Sequence, residues 1–392
     1  MTSSSKCAIL MMLKGTESGG DFLEKAYKFR IYPNRKQEDL IQKTFGCTRF
    51  VYNHYLFQRI EQYQSVGKSP TYFQQNKDLT LLKKQLSWLR DVDKCALQNS
   101  LRDLNAAYQN FFRDIQNGRK HGKPKFKRKR DSKKSYRTDN GRNTISVVDG
   151  RIKLPKLGLL KCSVSKEVRG RILSATVSQK PSGKYFVSIC CTDIEIDKLP
   201  KTGAIVGVDL GIKDFVVTSD GLRYPNNKYT YRSEKKLSKL QRRLSRKSKD
   251  SNNYEKARIK VARCYEHIAN QRSDYIQKLT TELVRNYDVI CIEDLNVAGM
   301  LKNHNIARSV ADASFFEFRR ELEYKSAWYG KRLSVIGRFY PSSQICSGCG
   351  FKFEGTKNLS VREWICPACG KRNDRDLNAA TNILSEGISI LS

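Results

Sequence analysis

Four cysteines near the C-terminus, Cys346, Cys349, Cys366 and Cys369, form two C-x2-C pairs separated by sixteen residues. Each close pair can turn two thiolates towards one centre, and two such pairs complete a tetrahedral shell of four sulfurs. A closed shell implies a structural ion; zinc is the expectation and iron its chemical alternative. Acids appear elsewhere in unusual company. Asp209 closes the apolar run of AIVGVDLG, Glu293 closes VICIE, and Asp374 and Asp376 open the helical stretch NDRDLNAATNIL. A carboxylate on a buried strand is costly unless it is paired or bound to metal. Taken singly, Asp209 or Glu293 could end a strand at the surface, and Asp374 or Asp376 could cap a helix. Taken together, two strand-end acids and one helix-start acid suit a site for two Mg2+ ions about 4 Å apart, one lowering the pKa of a water and the other stabilising the departing 3′ oxygen of a phosphodiester.

The elements that must position these residues belong to a strongly basic chain. Its 392 residues carry 74 Lys plus Arg against 39 Asp plus Glu, a formal net charge of +35, with 39% hydrophobic residues. That length supports roughly two to four structural units. So large an excess opposes compaction unless a polyanion neutralises it, which points to nucleic acid. A basic membrane-surface protein is the rival class, but the chain has no apolar run near the length of a span and no lipidation signal. KCAILMML, from Lys6 to Leu13, resembles a signal-peptide core without a small-residue cleavage site after it, so residues 1–24 read as a flexible extension. Twelve cysteines arranged for metal and core packing favour a reducing, cytoplasmic setting. Cys190, Cys191 and Cys291 lie in apolar stretches as small core residues.

From Lys25 the sequence predicts a strand, a Pro33-Asn34 turn and then helices, two of them over residues 35–64 and more from Asp91 to Gly118. Residues 119–137 hold eleven Lys or Arg against one Asp. Such a run is commonly a solvated linker, yet Lys125, Lys127, Arg128, Lys129 and Arg130 suit phosphate neutralisation, and the interleaved Phe126 and Tyr136 suit base stacking. Short strands follow in NTISVV, RIKLPKLG, ILSATVSQK and KYFVSICC, and with the first strand they predict a β-barrel-like module interrupted by a helical unit. A second basic tract, EKKLSKLQRRLSRKSKD, places Leu237, Leu240 and Leu244 on one helical stripe and leaves Arg242, Arg243 and Arg246 to a solvated or nucleic-acid-binding face.

The motifs YKFRIYPN, GVDLGIKDF, IEDLN, PSSQICSGCG, CPACG and DRDLNAATNIL, in this order from about Lys25 to the C-terminus, resemble the TnpB family, RNA-guided nucleases of insertion sequences related to type V CRISPR effectors. The resemblance implies a multidomain α+β and α/β protein. A wedge domain at 25–33 and 119–200 is split by a helical recognition domain at 34–118, and a RuvC-like nuclease of ribonuclease H fold at 201–340 and 373–392 receives a zinc ribbon at 341–372 that binds target nucleic acid. It carries the three RuvC acids onto Asp209, Glu293 and Asp376, with Asp374 competing for the third place. No acid is replaced, so nuclease-inactive, RNA-guided repressors match less well. Asn373 stands where many relatives carry His, a departure expected to have little consequence. Tyr72, Lys94 and Gln98 match positions that read a short motif beside the target; Lys94 and Gln98 are one helical turn apart and can pair with purine edges in the major groove, or simply face solvent. Implied partners are a guide RNA from the element's end and double-stranded target DNA, bound by a monomer with one RNA; implied cofactors are two Mg2+ and one Zn2+. Rival readings are a DNA transposase with a ribonuclease H core and a zinc-finger transcription factor, which would leave the acids unexplained.

Overall fold

Tyr27, Phe29 and Ile31 alternate with Lys28, Arg30 and Tyr32, and the alternation becomes a strand with its apolar side buried, β1 (Leu23–Tyr32). The computed structural model describes residues 23–119, 122–130, 134–358 and 360–392. The expected N-terminal extension therefore lies outside the described residues as far as residue 22, and its last two residues, Leu23 and Glu24, belong to β1.

Asn34 accepts a hydrogen bond from Gln37 N, while the Gln37 side chain accepts one from Asn34 N, and this capping box starts α1 (Arg35–Val66). One helix of 32 residues replaces the two expected. Only Gly46 interrupts the pattern, and its cost of about 1 kcal/mol is too small to break a helix whose Ile41, Phe45, Val51, Tyr52 and Tyr55 are buried. α2 (Tyr72–Gln85) begins on a second capping box, Thr71 with Gln74, and α3 (Lys94–Gln116) begins on Asp93. Leu79, Leu82, Leu89, Leu97 and Leu101 pack against Val51, Tyr55 and Leu56 to close this helical layer.

After the helices come β2 (Lys134–Asp139), β3 (Ser146–Val148), β4 (Arg151–Leu154), β5 (Gly158–Ser163), β6 (Arg171–Gln179) and β7 (Tyr185–Ile194). They join β1 in a seven-stranded antiparallel sheet of order β2-β6-β7-β1-β5-β4-β3. The first strand is thus central, between strands that follow it by more than a hundred residues. The pairing is linear with β2 and β3 at its edges, so the barrel-like module is an open sheet in its hydrogen bonding. β2 also corrects the reading of Tyr136 as a base-stacking residue: KSYRTD alternates, and Tyr136 is buried edge-on against Phe45, with ring centroids 5.8 Å apart.

These elements make one compact unit that ends at Glu195; a second runs from Ile196. Its elements are β8 (Ile205–Leu210), β9 (Asp214–Thr218), β10 (Arg223–Pro225), α4 (Tyr229–Arg232), α5 (Glu234–Ser245), α6 (Asn252–Asn286), β11 (Val289–Glu293), α7 (Val297–Met300), α8 (His304–Ala313), α9 (Phe315–Tyr329), β12 (Arg332–Ile336), β13 (Glu363–Ile365), β14 (Arg372–Asp374) and α10 (Arg375–Leu391). Five strands form a mixed sheet of order β10-β9-β8-β11-β12 in which β8, β11 and β12 are parallel. Asp288 ties the starts of these three strands together: its carboxylate accepts from Thr202 N and Gly203 N and pairs with Lys331. Its backbone meanwhile bonds Ala204 and Arg332. Leu237, Leu240 and Leu244 of α5 pack on Val261, Cys264 and Ile268 of α6, the stripe expected from their spacing.

Candidate functional site

Strand register brings the first two acids together. Cys291 pairs with Gly207 and Ile292 with Val208 on the parallel strands β11 and β8. One residue further, Glu293 and Asp209 leave the carboxyl ends of neighbouring strands on the same face, where open α/β sheets bind ligands. Helix α10 covers that face through two glycines. A Cβ on Gly207 would lie 2.0 Å from the Ala380 carbonyl oxygen, and one on Gly387 would lie 2.4 Å from Cys291 Sγ, so the backbones approach as closely as glycine allows. Asp376, Ala380, Leu384 and Gly387 share one helix face by their spacing of four, four and three. The helix that packs through the last three therefore carries Asp376, in its first turn, towards the ends of β8 and β11.

The electrostatics record this meeting. Burial holds the Asp209 carboxyl well above the ordinary aspartate range, Glu293 and Asp376 push it further, and Arg375 and Arg362 oppose them. Glu293 is also raised by burial, against a hydrogen bond from Ser342 Oγ to Glu293 Oε1 of 2.5 Å. Arg362 Nη1 lies 3.4 Å from Asp376 Oδ1. Asp374 is otherwise engaged: its Oδ1 accepts from Leu377 N at 2.9 Å as the helix cap and pairs with Arg223 Nη2 at 2.8 Å. Among the described residues, the side chains already gathered at ligand spacing are the four cysteines rather than the acids.

The four thiol sulfurs lie within 4.8 Å of one another. Cys346 and Cys369 approach to 3.7 Å and Cys349 and Cys366 to 3.6 Å, close to the edge of about 3.8 Å that a tetrahedron with Zn–S bonds of about 2.3 Å requires. The donor set thus fits a structural zinc ion. Each C-x2-C pair turns on the glycine after it, Gly350 at φ 77° and Gly370 at φ 73°, whose N–H returns to the carbonyl of the pair's first cysteine. Burial raises the Cys346 thiol, but the N–H groups of Gly348 and Cys349 and the amide of Asn373 outweigh it and bring the thiol down to about 6. Asn373 is buried with its Nδ2 3.6 Å from Cys346 Sγ. The position expected to matter little therefore donates directly to a metal-ligand sulfur.

Sequence reasoning missed the residues that join the two centres. Asn382 Nδ2 donates to the carbonyls of Ser342 and Ile345, and Asn378 Nδ2 donates to Ile345 O while its Oδ1 accepts from Ser347 N. Two asparagines of α10 therefore hold the loop that starts the first cysteine pair, and Ser342 of that loop holds Glu293. A signal existed: asparagine is unfavourable inside a helix, and two of them four residues apart in an apolar stretch ask for partners.

Comparison with known proteins identifies the family. Residues 188–304 match the OrfB_IS605 family, described as "Probable transposase"; residues 315–383 match the Cas12f1-like TNB domain, and residues 23–68 match the helix-turn-helix domain of the OrfB_IS605 group. A Streptomyces pristinaespiralis protein named "Putative RNA-guided DNA endonuclease" is 39% identical over 94% of this chain and 90% of its own. InsQ of Escherichia coli (strain K12), which bears the same name, is 34% identical over 94% of this chain and 93% of its own. This chain belongs to the TnpB family. A Cas12f1 chain from a complex with single-guide RNA and target DNA aligns over 92% of this chain and 99% of its own, at 15% identity and a TM-score of 0.36.

In this TnpB-family chain the residues expected to read a target-adjacent motif lie in the first unit. Lys94 and Gln98 start α3, and Arg102 continues their face one turn on. Tyr72, the first residue of α2, is partly buried and hydrogen-bonds with Arg102, so the helices align all of these residues along one edge. Lys94 lines a cleft of about 620 Å3 with Lys83, Lys84, Arg90 and Lys156. In the first basic tract, Asn53 of α1 pins Lys127 by accepting from its N–H at 2.8 Å and donating to its carbonyl at 2.9 Å. Lys127 is exposed overall, yet its ammonium is turned inward, 4.0 Å from the Tyr52 ring centroid. Burial of that ammonium lowers its pKa, and Asp103 partly offsets this. Lys125, Arg128, Lys129 and Arg130 are exposed, and in the second unit Arg242, Arg243 and Arg246 are exposed too.

Proposed function

We propose that this protein is an RNA-guided DNA endonuclease that cuts guide-complementary DNA with Asp209, Glu293 and Asp376 as ligands of two Mg2+ ions. The observation that carries this reading is the meeting of three acids, from β8, β11 and α10, at the carboxyl ends of parallel strands in a chain of net charge +35. Bound there, Mg2+ supplies an activated water and stabilises the departing 3′ oxygen, leaving 5′-phosphate and 3′-hydroxyl ends. The chain's own part is to orient and to tune. Ser342 holds Glu293 Oε1, Arg362 and Arg375 temper the repulsion among the carboxylates, and the sheet fixes two acids while α10 delivers the third.

Around this RuvC-like nuclease of ribonuclease H fold, the cysteines hold one structural Zn2+ in a ribbon that engages target nucleic acid. The antiparallel sheet of the first unit serves as the wedge domain and its helices as the recognition domain, with Tyr72, Lys94 and Gln98 reading a motif beside the target. A guide RNA from the element's end occupies basic surface that includes Lys125, Arg128, Lys129, Arg130, Arg242, Arg243 and Arg246, one RNA to a monomer. No helix among the described residues is long and apolar enough to cross a membrane, and the reading places the protein in the cytoplasm, acting on nucleoid DNA.

The test purifies the chain with its copurifying RNA, identifies the guide by sequencing, and assays a matched duplex with Mg2+. Asp209→Ala and Glu293→Ala abolish cutting and retain RNA. Full cutting by either variant, or none by the parent, overturns the assignment. The transposase description attached to residues 188–304 favours a second reading, end joining by the same acids; strand-transfer products in that assay would support it.

A further inference from the structure

Among the described residues, no large apolar side chain is more exposed than Phe339, at 93%. A single exposed ring needs no explanation. The residues on both sides of this one are anchored, and the same segment leads to Ser342 at Glu293. Arg338 Nη2 lies 2.6 Å from Asp294 Oδ2, and Asp294 directly follows Glu293. Tyr340 packs against the core formed by Cys291, Ile336 and Ile383, and its N–H returns to Gly337 O at 3.1 Å. Ser342 N then donates to Tyr340 O at 2.9 Å, while Ser342 Oγ holds Glu293. The Cα atoms of Phe339 and Ser342 can be at most about 11 Å apart, so the backbone that carries the ring starts within that reach of the residue that touches Glu293.

We propose that Phe339 is a stacking platform for one nucleobase of the single strand whose backbone lies at Asp209, Glu293 and Asp376. The inference rests on the endonuclease reading and names how that site holds its substrate. A duplex hides its base faces, whereas a single strand presents them, and an aromatic ring next to cations is the usual means of holding one without regard to sequence. Arg338, adjacent in the chain and 45% exposed though paired with Asp294, supplies such a cation, and Arg362, 47% exposed, brings another to Asp376. Stacking on an anchored ring fixes the base and so limits where the adjoining phosphate can lie.

The experiment uses the full chain with its copurified RNA and single-stranded DNA oligonucleotides carrying 2-aminopurine at successive positions, in an Asp209→Asn background that prevents cutting. One position is quenched on binding; Phe339→Ala abolishes that quenching and Phe339→Trp keeps it. In the chain with its acids intact, Phe339→Ala lowers kcat/KM for cutting about tenfold, the loss expected for one base stack, mainly through KM, with zinc and RNA content unchanged. Equal quenching and equal cutting by Phe339→Ala overturns the proposal, as does loss of cutting with Phe339→Trp quenching no better than alanine. If the parent complex cuts nothing, the endonuclease reading fails on its own, and the quenching arm still decides whether Phe339 stacks.

Discussion

The four thiols and the three carboxyls are both gatherings of like groups, assembled by different means. The thiols come from one short stretch, each pair turned by its own glycine, and their sulfurs approach to 3.6 and 3.7 Å. The carboxyls come from β8, β11 and α10, brought together by strand register and by a helix that packs through Gly207 and Gly387. Local turns can hold four sulfurs at the spacing of a tetrahedral shell, with N–H groups turned towards Cys346 and Cys349. Distant segments gather acids at a cost, visible in the raised Asp209 and Glu293. A ribbon can thus be specified by spacing, whereas an acid site depends on everything that sets the register.

The largest effect is expected at the third acid. Asp376→Asn lowers cutting about a thousandfold or more, the several kcal/mol that a metal clamp supplies. Asp374→Ala leaves cutting in place and costs about 1 kcal/mol of stability through the lost cap. Cleavage rates and thermal melts of both variants check this, and the reverse outcome would move the site by two residues. Cys346→Ser comes next. It releases the zinc, measured by metal analysis, and lowers cutting more than tenfold with every acid intact, because the loop carrying Ser342 loses its anchor. Independence of the two centres would show as zinc loss with an unchanged rate.

Ser342→Ala tests the joint between them directly and is expected to slow cutting about tenfold, the worth of one hydrogen bond to a charged group, with zinc content unchanged. The smallest effects concern pH. Asp209 is raised above its unfolded value, so its ionisation opposes folding, and the metal-free protein gains stability as pH falls through the raised value; Asp209→Asn removes that dependence and raises Tm at neutral pH. Asp288 has the opposite sign. Lys331 and the N–H groups of Thr202 and Gly203 hold it at about 2, so its contribution is present above the ordinary aspartate value and disappears as pH falls through about 2. Melts across acid pH with Asp288→Asn check this.

Much of the site could be read from residue types. The C-x2-C pairs declare their ligand geometry within a few residues, and acids closing apolar strands betray an unusual environment because desolvation makes them expensive. Residues whose direction depends on a fold partner were not legible. Tyr136 looked like part of a basic run until β2 turned it onto Phe45, and Lys127 looked like a phosphate contact until Asn53 and Tyr52 turned it inward. Ser342, Asn378 and Asn382 carry no charge, and their roles exist only once α10 lies along the loop they hold.

By itself, then, the sequence determined the chemistry available: sulfur ligands at zinc spacing, three oxygen acids, a surface charged for polyanions, and the alternation that makes β1 a strand. Only the tertiary structure engaged Asp374 as a helix cap and set Asp376 where its charge reaches Asp209, joined the ribbon to Glu293 and left Phe339 in solvent. Composition and spacing act over a turn or two of chain, where backbone geometry is fixed. Helix phase and strand register are set by packing between segments far apart in sequence, and a shift of one residue in either would send the same side chains elsewhere.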